Sequence, residues 1–194
     1  MIESQRKKQK SETRKKLIEA AFVQLAKGLI AARTSDIASA AGVSHGTFFV
    51  HFPTREVFLQ VVIEEFGVRV SKRLHELASK NGSLREVLEA HVDGLSEFEP
   101  FYSRLVSECS MLPEGVRNAM IMIQSAISFH ISIAAEKEMQ KGIIRSFPIH
   151  MLFNIWIGLI HYYLTNKDLF APNESVLKRY GKELVNHYMT LISA

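Results

Sequence analysis

Two histidines, a serine, a threonine and three phenylalanines fall within the twelve residues AGVSHGTFFVHF, positions 41 to 52. Hydroxyls and imidazoles at this density suit recognition by hydrogen bonding, since each donates or accepts at a nucleic-acid base edge or phosphate. Spacing argues against a metal: His45 and His51 are six residues apart, and the single cysteine, Cys109, is distant from both. The neighbours of Cys109, Glu108 and Ser110, offer no cation to activate its thiol, so it reads as a buried or idle thiol rather than a redox sensor. Residues 56 to 194 contain no nucleophile elbow, phosphate loop, metal pair or acid/base constellation. The expectation is a binding protein, not an enzyme, with no metal and no cofactor.

The elements that must position this stretch read as helices. From Ser11, the residues Leu17, Ile18, Ala21, Phe22 and Leu25 recur at helical spacing, and Gly28 is a sensible stop. A second short helix runs from about Thr34 to Ala41, with Ile37 and Ala38 facing the core and Gly42 where a left-handed turn residue belongs. Val43 plugs the core, and Ser44 caps a third helix. His45, Gly46, Thr47, Phe49, Val50 and His51 then lie near or on its exposed side, while Phe48 and Phe52 pack inward. Two short helices joined by such a turn form a helix-turn-helix, which places its second helix in the major groove. His45, early on that helix, is the candidate for reading a base edge, with a phosphate contact as the alternative.

The charge distribution agrees. Residues 1 to 55 carry ten Lys/Arg against four Asp/Glu, a net +6, and the remainder carries fourteen against sixteen, a net −2. A polyanion-binding N-terminal third on a charge-balanced body is one reading, a solvated basic tail the other. The single cysteine excludes an intramolecular disulfide, and no secretory leader pattern opens the chain, so a cytoplasmic protein is expected.

Residues 1 to 10 are polar and basic without apolar period and read as a flexible arm. After Pro53, Thr54 caps a long helix through about Ser79, and Asn81-Gly82 breaks the chain. Ser83 and Glu86 form a capping box opening a helix that ends before Pro100. A short helix follows to Met111, and Pro113 opens the next. Ile127, Phe129, Ile131 and Ile133 alternate as a strand would. The stretch from Val116 to Lys141 nevertheless lacks Gly and Pro, and Val116, Met120, Ile123, Ile127, Ile131 and Ala134 keep one helical face apolar. Residues 147 to 166 are the most hydrophobic segment. Pro148, His150, Asn154 and His161 interrupt it, leaving about fourteen strongly apolar residues where a bilayer needs roughly twenty, so a helix buried between subunits is expected rather than a membrane span. A last helix over about 173 to 192 places Leu177, Tyr180, Leu184, Tyr188 and Leu191 on one face. The fold class is all-α with about nine helices. Its expected organisation is an arm over 1–10, a three-helix helix-turn-helix domain over 11–53 and a larger helical domain over 54–194.

His150, Asn154 and His161 form a polar stripe opposite Leu152, Phe153, Trp156, Leu159, Ile160 and Tyr163. Such a stripe faces water, an interface or a ligand. His130 lies on an apolar arc with Ile123 and Ile127 and reads as a satisfied core histidine.

Taken together, Ala20-Ala21, Gly28-Leu29, Asp36-Ile37-Ala38, Ala41-Gly42-Val43-Ser44, Gly46-Thr47, His51-Phe52 and Arg55-Glu56 resemble, in order and spacing, the tetracycline-repressor (TetR) family of bacterial transcriptional regulators. The resemblance covers roughly residues 12 to 62. It implies a homodimer whose recognition helices read an inverted repeat in double-stranded DNA, half-sites about one helical turn, roughly 34 Å, apart. It also implies an inducer pocket in the C-terminal domain. Carried over by position, Ser44, Gly46 and Thr47 contact bases or backbone, His51 contacts the backbone, and Arg55 stands where a lysine usually meets a phosphate. Phe49 replaces the family's common tyrosine, so one phosphate bond is missing. Threonines are favoured at the positions of Ala32 and Arg33. Here either the cap of the second helix moves to Thr34 or Arg33 meets the DNA backbone, and Ser35 joins that candidate set. Arg6, Lys7, Lys8 and Lys10 are candidate groove contacts.

Phe66, Phe98, Phe101, Tyr102, Met111 and Phe129 fall on helices that wall the pocket in this family. They read as ordinary core or, with Ile127, His130, Asn154 and His161, as the lining for an apolar or aromatic effector, Tyr102 or His130 fixing its orientation. The helices at about 147–166 and 173–192, paired with their mates, would make a four-helix dimer interface, where Gly158 allows close approach. The expected function is a homodimeric repressor released from its operator by a small ligand. An architectural DNA-binding protein without effector control and an enzyme with a DNA-binding head are the alternatives. Selection of an inverted repeat, or turnover of a ligand, would tell them apart.

Overall fold

The computed structural model describes residues 2–80 and 82–194, except the side chains of residues 2–4, 73 and 77–79. Of the break expected at Asn81-Gly82, Asn81 lies outside the described residues. Among them there is no β-strand, and Ile144 and Ser193 form an isolated bridge. Ten α-helices are present among the described residues: α1 (Ile2–Leu25), α2 (Thr34–Ala40), α3 (His45–His51), α4 (Arg55–Ser79), α5 (Leu84–Glu97), α6 (Glu99–Glu108), α7 (Glu114–Gln140), α8 (Ile149–Thr165), α9 (Lys167–Phe170) and α10 (Val176–Ile192). A 3₁₀ turn spans Cys109–Met111. The four-residue α9, too short to carry a period, is the helix that sequence patterning does not reveal. The region over which strand and helix patterns compete is α7, where the absence of breakers prevails.

The expected arm is not irregular: residues 2–10 are the first turns of α1. Gln, Arg, Lys and Glu are good helix formers, and a helix solvated on every side shows no apolar period.

The chain divides into two compact units, Met1–Glu65 with Pro100–Ala119 and Phe66–Glu99 with Met120–Ala194. In the first, Leu17, Ile18, Ala21, Phe22 and Leu25 of α1 are buried together with Ile37 and Ala38 of α2 and Phe48 of α3. Phe58 of α4 meets Phe48 and Phe52 edge to face at 4.8 and 4.9 Å, an arrangement that aromatic quadrupoles favour. Residues 100–119 bring Phe101 against Phe22, edge on at 5.2 Å.

In the second unit, α10 packs on α5 and α8. Gly181 permits the close approach to α5, since a Cβ there would lie 2.4 Å from Val92 Cγ1. Two buried carboxylates add to the serine caps of α5 and α10. Glu99 accepts from Ser175 Oγ and from the backbone N–H groups of Val176 and Leu177 at 2.8 and 3.0 Å, closing the start of α10. Glu138 accepts from the N–H of Leu84 at 2.8 Å, at the start of α5. Both carboxyl groups accept from amide donors that the first turn of a helix leaves without an internal partner. The capping box of Ser83 and Glu86 forms as its spacing predicts, and Ser83 holds the Glu86 carboxyl below its ordinary pKa.

Candidate nucleic-acid interface

Gly42, with φ +70°, makes the turn between α2 and α3. Val43 is half-buried, and Ser44 Oγ accepts from the N–H of Thr47 at 3.1 Å, capping α3. Phe48 and Phe52 are buried, and His45, Gly46, Phe49 and Val50 are exposed, so α3 turns one side inward and leaves the other open.

The Ser44 and Thr47 hydroxyls and the His45 imidazole already have partners. Ser44 Oγ and Thr47 Oγ1 are 2.8 Å apart. His45 Nε2 lies 2.8 Å from Thr34 Oγ1, and its ring meets Phe49 edge on at 5.0 Å. Thr34 is therefore not the cap of α2. That position belongs to Arg33, whose exposed side chain makes no capping bond, and the Thr34 hydroxyl is directed to α3 instead. Ser35, exposed, donates to Asp36 Oδ1.

Arg55 is engaged with the loop that precedes α2. Half-buried, it donates through Nη2 to the carbonyl oxygens of Leu29 and, at 3.2 Å, of Ile30. Across the same loop, Glu108 of α6 accepts from the N–H of Ile30 at 2.8 Å. The guanidinium ties down the connection between α1 and α2, which directs Nη2 into the protein rather than towards a phosphate. A planar fork that satisfies two carbonyls is what distinguishes arginine from lysine here.

His51 ends α3 half-buried, its Nδ1 without a partner among the described residues. Burial, aided by the nearby cations Lys10 and Arg14 of α1, lowers its pKa. Arg14 lies over the Phe52 ring at 5.2 Å. The basic stretch of α1 is thus held beside the C-terminal end of α3.

The expected effector residues divide between the two units. Phe101, Tyr102 and Met111 belong to the first unit. Phe101 and Tyr102 are buried in its core, whereas Met111, on the 3₁₀ turn, is 63% exposed. Burial pushes the Cys109 thiol pKa up, against a smaller opposing effect of Arg117.

Phe66, Phe98, Ile127, His130, Asn154 and His161 belong to the second unit. Phe66 is buried and meets Phe98 edge on at 5.8 Å, and Arg69 lies over the Phe98 ring. Ile127 is buried, but Asn154 and His150 are exposed, as is Phe129. His130 is not a satisfied core histidine: it is half-buried, its Nδ1 has no partner among the described residues, and its pKa is lowered by burial and by His75. One turn of α7 carries it between buried and open faces.

Sequence patterning overlooked His91. It is fully buried on α5, and Trp156 Nε1 donates to its Nδ1 at 3.0 Å, which leaves the proton on Nε2 without a partner among the described residues. Burial, with His161 nearby, lowers its pKa to about 3, and burial lowers that of His161 to about 4. A histidine flanked by Val87, Leu88 and Leu95 on an amphipathic helix was the available signal. Tyr188, also buried, donates to the Leu152 carbonyl at 2.6 Å, and burial raises its pKa. Among the described residues no group of three or more His, Cys, Asp or Glu could hold a metal ion.

Residues 17–62 match the model of the bacterial regulatory proteins, tetR family. No curated protein matches the chain in sequence. Among solved structures, a TetR-family transcriptional regulator from Agrobacterium tumefaciens superposes with a TM-score of 0.79 at 16% identity, over 95% of this chain and 100% of that one. The regulator FadR from Bacillus subtilis, in complex with stearoyl-CoA, gives 0.75 at 19% identity over 92% and 97%. The fatty acid degradation regulator FadR from Bacillus halodurans gives 0.73 at 18% identity over 91% and 96%. At these identities the likeness is one of fold.

Proposed function

From a chain whose N-terminal segment belongs to the tetR family of bacterial regulatory proteins, we propose a homodimeric transcriptional repressor that leaves an inverted-repeat operator when a small apolar or aromatic ligand binds. The observation that carries this reading is α3 itself. It is capped by Ser44, anchored from behind by Phe48, open on its other side, and part of a segment with net charge +6. Its open side presents Phe49 and Val50 next to the basic residues of the segment. The partner that suits the charge is a phosphate backbone.

Dimerisation runs through α8 and α10. Met151, Ile155 and Tyr162 of α8 and Leu191 of α10 are exposed apolar side chains, and a Cβ at Gly158 would meet nothing within 4 Å. Effector control is supported by the stearoyl-CoA complex of one structural relative and by the apolar residues Phe66, Phe98 and Ile127 in the second unit. The ligand acts by preferring the conformation that does not fit the operator. The protein binds its effector rather than transforming it, and it works in the cytoplasm.

Selection of bound fragments from genomic DNA tests the reading. One enriched inverted repeat, bound by a dimer and released by a compound found in a thermal-shift screen, supports it. Fragments without a shared palindrome would replace it with an architectural role.

A further inference from the structure

The outward side of α3 carries no free hydroxyl, amide or charge at its crest. At 3.6 residues per turn, Gly46 and Val50 lie about 40° apart and nearly opposite buried Phe48. Val50 is 71% exposed, and Phe49, on the flank, is 43% exposed. Of the polar residues at the start of the helix, His45 is engaged through Nε2 with Thr34 and Thr47 with Ser44, while His51 lies half-buried at its other end.

Gly46 adds a second observation. A Cβ there would find ordinary space, its nearest neighbour Ser44 Oγ at 3.8 Å, so nothing inside the protein requires a glycine. Glycine within a helix costs about 1 kcal/mol relative to alanine. Its use on the crest, one turn before Val50, removes the side chain that would hold the helix backbone away from a partner.

In the major groove the one apolar feature of a base edge is the C5-methyl group of thymine. We propose that Val50, flanked by Phe49, reads thymine through that methyl group, Gly46 letting α3 sink close enough for the contact. The reading rests on DNA recognition by α3. The His45 ring, pinned by Thr34 and lying edge on against Phe49, holds the aromatic flank in place. The tyrosine hydroxyl missing at position 49 is then the removal of a polar group from an apolar contact.

The test uses the full-length protein and the duplex it selects from a random library. Each thymine of that duplex is replaced in turn by deoxyuridine, which deletes the methyl and leaves every hydrogen-bonding group in place. At one or two symmetry-related positions affinity should fall about fourfold, the effect of one buried methyl. In Val50→Ala, whose substitution lies on the surface, the same replacement should change affinity little. Phe49→Ala serves as a second variant and should weaken the same positions. A duplex bound tightly and specifically, yet indifferent to deoxyuridine at every position, overturns methyl reading while leaving the regulator intact. Failure to select any duplex overturns both.

Discussion

The first residue of α3, His45, is joined to the first residue of α2, Thr34, by a 2.8 Å contact between Nε2 and Oγ1. The two helices of the reading head are therefore linked at their starts as well as through the Gly42 turn. Thr34→Val removes the hydroxyl and keeps the volume. Stability should fall by about 1 kcal/mol, the worth of one net hydrogen bond, the melting temperature by roughly 3 °C, and operator affinity by at most about fivefold. Adding His45→Ala should cost less in this background than alone, because the pair acts as a unit. Equal costs in titrations by fluorescence anisotropy would show the contact to be idle.

Arg55 distinguishes a loop clamp from a phosphate ligand. Lysine keeps the charge but not the fork that reaches the Leu29 and Ile30 carbonyls. Arg55→Lys should lower stability by about 2 kcal/mol and the melting temperature by roughly 5 °C. Unchanged melting, with DNA binding preserved, would return Arg55 to the phosphate role that its position in the family implies.

His91 imposes a pH dependence whose sign follows from burial. Its pKa in the folded chain is about 3 against an ordinary 6.5, so the unfolded chain takes up a proton that the folded one refuses. Stability is thus complete above pH 6.5 and declines as the pH falls towards 3, by about 1.4 kcal/mol per unit. His161, lowered to about 4, adds to the decline. Replacing His91 by Gln keeps an acceptor for Trp156 and removes one titration. Urea unfolding at pH 7 and pH 5 should show the acid loss reduced by about 2 kcal/mol, and an identical loss in the variant would contradict the assignment.

Residues 1 to 10 carry Arg6, Lys7, Lys8 and Lys10, and residues 2–10 are helical. Deleting residues 1 to 10 should weaken operator binding and flatten its salt dependence by about 0.9 in log–log slope for each phosphate that the basic turns neutralise. An unchanged slope in binding isotherms from 50 to 300 mM salt, roughly the range over which such phosphate pairing is read, would leave the basic turns as a solvated surface.

Much of the reading head is legible without coordinates because its determinants are local. Ser44 caps α3 three residues away, Ser83 and Glu86 close a box over the same interval, and Gly42 alone meets the demand for a positive φ. Phe48 and Phe52 face inward because the helical period sends them there. Residues 2–10 escaped because a helix with no face to bury leaves no periodic trace.

What local pattern does not determine is which polar group each side chain meets. Thr34 finds His45 eleven residues away, Arg55 finds Leu29 across twenty-six, and Trp156 finds His91 across sixty-five. The sequence by itself determined an all-α chain with a basic helix-turn-helix and an inward aromatic anchor, since propensity, period and caps act over a few residues. Only the tertiary structure decided that the Ser44 and Thr47 hydroxyls and the His45 imidazole of this helix-turn-helix are paired, that the guanidinium of Arg55 holds a loop, and that a neutral histidine is enclosed in the second unit. Those outcomes follow from packing, which brings distant donors and acceptors together and makes an unpaired buried group costly.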